Sequence, residues 1–174
     1  MADDIITPSR FEITISNTQG HLKIDPETLR GLAGRVLLGE GVNQAEISIA
    51  LVDDRAIHAL NDRHLGHNWP TDVITFPLSE PGELPLVGEL VVSAEMATVT
   101  ARQAGTDPGA ELALYLVHGL LHLCGYDDQT PEDRTRIRRR EDEILTSEGL
   151  TNTFPLVGPA EVSDMERESV RWAV

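Results

Sequence analysis

Cysteine occurs once, at Cys124, so the chain holds no intramolecular disulfide and a reducing compartment suits it. Lysine also occurs once, at Lys23, and 29 acidic residues against 14 basic ones give a formal net charge of -15. A surface this acidic favours solubility and argues against broad attraction to nucleic acid or anionic membranes. It leaves room for a local basic site, because only the field at the site acts on a bound ligand. Neither DNA nor a membrane is expected as a partner. Aromatics are scarce at 4% beside 40% hydrophobic residues, so the core must be aliphatic. No apolar run is long enough for a spanning helix; the longest, residues 112–123, contains His118 and His122. The opening Met1-Ala2-Asp3-Asp4-Ile5-Ile6-Thr7-Pro8 has neither the basic start nor the apolar stretch of a signal peptide. A cytoplasmic protein is expected, and 174 residues suit one domain better than two.

Phe11 to Ser16 alternates polar and apolar residues, as a strand does. Asp25-Pro26-Glu27 then opens a helix, with Asp as cap and Pro in the first turn. Leu29, Leu32, Ala33, Val36 and Leu37 lie on one face of it, and Gly39 and Gly41 end it. Ile47, Ile49 and Leu51 mark a second strand. Asp53 or Asp54 caps a helix whose inner face carries Ile57, Leu60 and His64. Gly66 to Thr71 reads as a loop, Val73 to Phe76 as a strand, Pro77 to Pro85 as another loop, and Glu89 to Val92 as a fourth strand. Ser93 caps a helix to Ala104, and Asp107-Pro108 opens one that is apolar nearly all round from Leu112 to Leu123. Thr130-Pro131 opens a last, mostly polar helix to Ser147, and residues 148–174 read as a tail with a short helix near 162–172. The order β-α-β-α-β-β-α-α-α implies an α+β domain: a small mixed four-stranded sheet packed against about five helices, one of them central and buried.

That central helix carries the chemistry. Residues four apart on a helix share a face about 5–6 Å apart at Cβ, so His118 and His122 can point at one ion. A single His in an apolar helix is ordinarily a core residue bonded to a carbonyl. Two at this spacing are harder to place without a shared partner, because unpartnered buried imidazoles are costly. Gly125 permits the left-handed turn that would bring Asp127 or Asp128 back to the same ion. Two His and a carboxylate form an accepted zinc set, with the fourth position open. The zinc-protease pattern has this spacing but puts a Glu base after the first His, where this chain has Gly119. A protease reading is therefore poor, and water activation chiefly by the ion, or a base from elsewhere, fits better. Cys124 points to another face and reads as a small core residue.

His118-Gly119-Leu120-Leu121-His122-Leu123-Cys124-Gly125-Tyr126-Asp127 resembles the signature of the YbeY family of rRNA-maturation endoribonucleases. Leu51-Val52-Asp53-Asp54 with Leu60-Asn61, Pro70-Thr71-Asp72-Val73-Ile74-Thr75-Phe76-Pro77 and Gly88-Glu89-Leu90-Val91-Val92-Ser93 resemble three further family segments in the same order. The likeness runs from about residue 11 to 150, which marks 1–150 as the domain and 151–174 as a tail of unknown role. It implies one Zn2+ ion and a single-strand-specific endoribonuclease. The expected substrate is the 3′ end of small-subunit rRNA, with the small ribosomal subunit as partner and a part in ribosome quality control. The family's third ligand is His, and the matching position here is Asp128, so the implied ligands are His118, His122 and Asp128. The family also carries an Arg where this chain has Leu65; Arg63, His64 or His67 are the replacements at hand. Asp72 would orient a ligand or cap a turn. Arg134, Arg138 and Arg139 would meet RNA phosphates, or form a solvated face paired with Glu132, Glu141 and Asp142. Leu65 and Asp128 also suit a non-catalytic metal-binding ribosome-assembly factor, and a metal hydrolase of another substrate is a third reading.

Overall fold

Five helix starts are written in the sequence as side chains that can accept a backbone N–H, and all five act as caps. In this computed structural model, which describes residues 10–66 and 71–150 apart from the Leu65 side chain, Asp25 accepts from Glu27 N and Asp53 from Ala56 N. Ser93 accepts from Met96 N, Asp107 from Ala110 N and Thr130 from Asp133 N. Each such cap is worth about 1 kcal/mol. Of the two candidates, Asp53 takes the cap, and Asp54 instead accepts the Ser93 hydroxyl at 2.6 Å.

The elements are β1 (Arg10–Asn17), α1 (Pro26–Gly39), β2 (Gln44–Val52), α2 (Asp54–Leu65), β3 (Val73–Pro77), β4 (Leu86–Ser93), α3 (Ala94–Ala104), α4 (Pro108–Leu123) and α5 (Pro131–Ser147). They follow the expected order, and they form one α+β domain around a mixed sheet of order β1-β2-β4-β3. β1, β2 and β4 run parallel, and β3 pairs antiparallel with β4. β4 begins three residues before the expected Glu89, because Leu86 already pairs with Ala45 of β2.

Period-two alternation sends the strand residues to two faces. Ile47, Ile49, Leu51, Val73, Leu90 and Val92 join the larger core with α1, α3, α4 and α5. Val52, Ile74 and Val91 meet Ile57 and Leu60 of α2 on the other face. Every residue of α4 from Ala110 to Leu121 is buried, which accounts for a helix apolar all round. α4 lies against β3, β4, α1, α3 and α5. His64 is a correction: it is exposed on the last turn of α2, its ring edge-on to Phe76 at 5.8 Å, and not on the inner face. The short helix expected near 162–172 lies outside the described residues. No helix among the described residues is long and apolar enough to cross a membrane.

Candidate metal centre

α4 brings the two imidazoles to its C-terminal end on a single face. Their rings stand 4.4 Å apart between centroids, and the two Nε2 atoms face each other at 2.8 Å. The helix stops at Cys124, and Gly125 takes a φ of +97°, which a side chain would resist. The chain reverses there, with Tyr126 N donating to Leu121 O at 3.0 Å. The reversal delivers Asp128 to the pair, its Oδ2 3.6 Å from His122 Nε2 and 3.8 Å from His118 Nε2. Asp127, the other carboxylate that the spacing left open, is exposed, and its Oδ1 accepts from Asp128 N and Gln129 N. It thus braces the loop that carries its neighbour.

The three donor atoms lie within 4.8 Å of one another. Tetrahedral zinc with bonds of roughly 2.0–2.1 Å sets its ligand atoms about 3.4 Å apart, so contacts of this size fit one such ion. Asp128 Oδ2 is shut off from solvent and has no hydrogen-bond partner among the described residues. An orphaned buried oxygen is costly, and a cation between it and the imidazoles removes that cost. Burial by itself would raise the Asp128 carboxyl. The neighbouring His122 and His118 and the Arg134 guanidinium outweigh burial and hold it below the ordinary carboxylate value. A group so held is ionised at neutral pH, as a ligand must be.

α5 supports both halves of the cluster. Glu141, 1% exposed, places Oε1 2.6 Å from Nδ1 of His118. Arg134 donates to the carbonyls of Asp128 and Gln129, each at 3.0 Å, and ties the ligand loop to the helix. Reading the arginine-rich helix as a face solvated and paired through Glu141 is thereby corrected. Glu141 is buried against α4, whereas Arg139 is exposed. A signal for this existed in the sequence: Ile137, Glu141, Ile144 and Leu145 lie at helical spacing, which puts one carboxylate on the apolar stripe.

Asp72 is fully buried at the start of β3, and its Oδ1 accepts from Val73 N at 2.9 Å and from the Thr71 hydroxyl at 3.1 Å. Arg63 and His64 are exposed on α2, and neither is bonded to the cluster among the described residues. His67 and the Leu65 side chain lie outside the described residues. Cys124 packs at the edge of the core. Burial, helped by the charge of Glu40, pushes its thiol up to about 12. Alkylation by iodoacetamide at pH 8 is expected to be at least about 10³-fold slower in the native protein than in urea, since only the thiolate reacts. Equal rates would show the sulfur to be open.

The family model described as "Endoribonuclease YbeY" matches residues 14–149. An "Endoribonuclease YbeY" of Anaeromyxobacter sp. (strain Fw109-5) is 46% identical over 145 residues, covering 82% of this chain and 76% of the relative. One of Pelotomaculum thermopropionicum is 40% identical over 150 residues, covering 80% of this chain and 98% of the relative. A solution structure of a Thermotoga maritima protein is similar with a TM-score of 0.57 at 27% identity, over 79% of this chain and 91% of that one.

Proposed function

The chain belongs to the YbeY endoribonuclease family, and on that premise we propose that it is a single-strand-specific, zinc-dependent endoribonuclease acting on the 3′ end of small-subunit rRNA. The observation that carries this is the convergence of His118 Nε2, His122 Nε2 and Asp128 Oδ2 at the end of a buried helix. Residues 1–150 hold the activity. Its setting is the cytoplasm, with the small ribosomal subunit as partner and defective ribosomes among its targets.

His118, His122 and Asp128 would hold one ion. When bound, it would polarise a phosphate oxygen and make an attacking hydroxyl more acidic. The protein's own groups do the rest. Glu141 and Arg134 fix the ligands from behind. Arg63 and His64, both exposed on α2, are the candidate phosphate contacts. Asp72 is the candidate orienting group at the mouth of β3. The net charge of -15 works against long-range capture of RNA, so specificity comes from the ribosomal partner.

The expected result is cleavage of single-stranded rRNA 3′ fragments by the zinc-loaded protein, lost on chelation, restored by Zn2+, and absent on a duplex of the same sequence. Free random RNA is expected to bind weakly and to dissociate as salt rises. Zinc-loaded protein that leaves every such RNA intact would favour the assembly-factor reading, which Leu65 and Asp128 support. Tight binding of random single strands at physiological salt would remove the need for a partner.

A further inference from the structure

We infer that Glu141 is the positioning residue of this metal centre: its carboxylate accepts a hydrogen bond from Nδ1–H of His118, keeps the ring's proton on Nδ1 and so commits Nε2 to the ion. The inference rests on the metal-centre reading and names what makes the site rigid.

A neutral imidazole carries its proton on either nitrogen, and only the bare nitrogen binds metal. His118 is set in the interior with 2% of its side chain exposed, so no solvent arranges its ring. Glu141 Oε1 lies 2.6 Å from Nδ1, the length of a charge-assisted bond. Being an acceptor, an ionised carboxylate there requires the proton on Nδ1, which leaves a lone pair on Nε2. That Nε2 is the atom facing His122 Nε2 and Asp128 Oδ2. The carboxylate also adds negative charge behind the ring, which strengthens its hold on a cation.

Glu141 is itself held. It stands on α5 beside Ile137, Ile144 and Leu145, all buried, and is 1% exposed. A carboxylate this enclosed needs a fixed partner, which explains why a helix otherwise so polar keeps one acid on its inner face. His122 has no carboxylate behind it among the described residues, so His118 is the anchored ligand and His122 the looser one. The Asp128 loop is tied separately, through Arg134 to two carbonyls, so it keeps its own support when the Glu141 charge is removed.

The experiment compares wild type with Glu141→Gln, which keeps shape and removes the charge. Zn2+ affinity is read by competition with a chromophoric chelator, and fold by thermal unfolding of the metal-free proteins. Glu141→Gln is expected to bind Zn2+ 10- to 100-fold more weakly, in the range typical of lost support behind a metal-bound His. A second measurement needs no variant: long-range 1H–15N spectra of zinc-loaded wild type should show the His118 proton on Nδ1 and none on Nε2. Affinity of Glu141→Gln within twofold of wild type would overturn the inference, as would a His118 proton on Nε2. If the variant does not fold, the wild-type spectra decide. Wild type that takes up no zinc would overturn the metal-centre reading itself.

Discussion

Replacing His118 or His122 by Ala should each lower RNA cleavage by at least about 10³-fold, on the order of 4 kcal/mol of transition-state stabilisation. Each removes one of the three residues proposed to hold the ion. The two variants should nevertheless differ sharply in stability, because their surroundings differ. His118→Ala strips the Glu141 carboxylate, 1% exposed, of a partner at 2.6 Å. Breaking a buried pair from one side costs about 3–5 kcal/mol. For a domain of this size the melting temperature should fall by roughly 10 °C. His122→Ala leaves the His118–Glu141 pair in place; it gives up the 2.8 Å contact with His118 and the 3.6 Å approach to Asp128, which keeps His118 and Arg134 nearby. Its cost should be about 1–2 kcal/mol. Urea unfolding in the presence of chelator measures both without the contribution of a bound ion. Equal losses would mean that the His118–Glu141 pair does not hold the helices together.

The difference between those two histidines was not legible in the sequence, although the histidines themselves were. Spacing of 3.6 residues per turn is a local property, so one glance at residues 118–128 places both rings on one face and a reversal after them. The caps at Asp25, Asp53, Ser93, Asp107 and Thr130 are equally local, and so the element order could be read. The resemblance to a known family then placed Asp128 at the third ligand position, where the spacing alone left Asp127 open. What lay out of reach was long-range pairing. Glu141 is 23 residues from His118, and only the packing of α5 on α4 joins them. Its neighbours Arg138, Arg139, Arg140 and Asp142 made the helix look like a solvated charge ladder. The periodicity of Ile137, Ile144 and Leu145 carried the opposite message about that one position. His64 failed in the other direction. It falls at helical spacing from Ile57 and Leu60, but its ring meets Phe76 only edge-on and stays exposed.

Gly119→Glu should not fold at all, and the reason settles what this glycine is for. It stands where a zinc protease carries its base, so its lack of a side chain could be read as a base lost from the site. The packing gives another account. A Cβ at this position would lie 2.8 Å from Leu90 Cδ2, 3.1 Å from Val73 Cγ2 and 3.2 Å from Thr75 Oγ1. Those atoms belong to β3 and β4, and Leu90 and Val73 are buried in the main core with nowhere to retreat. Gly119 is therefore the point where α4 rests on the sheet. One added methyl overpacks the contact at about 1–3 kcal/mol, of which the better helix propensity of Ala returns about 1. Gly119→Ala should accordingly melt a few degrees lower, roughly 2–6 °C. Glu adds a longer chain and an unpaired charge pressed against an apolar sheet, costing several kcal/mol more. That sum rivals the roughly 5–15 kcal/mol by which a domain is stable. Circular dichroism and thermal unfolding of the two variants check this, and a Gly119→Glu protein with the wild-type melting temperature would refute it. With the helix seated this close, no side chain at 119 can serve as base in this fold. The proton acceptor must then come from outside α4, or from the ion's own effect on the attacking hydroxyl.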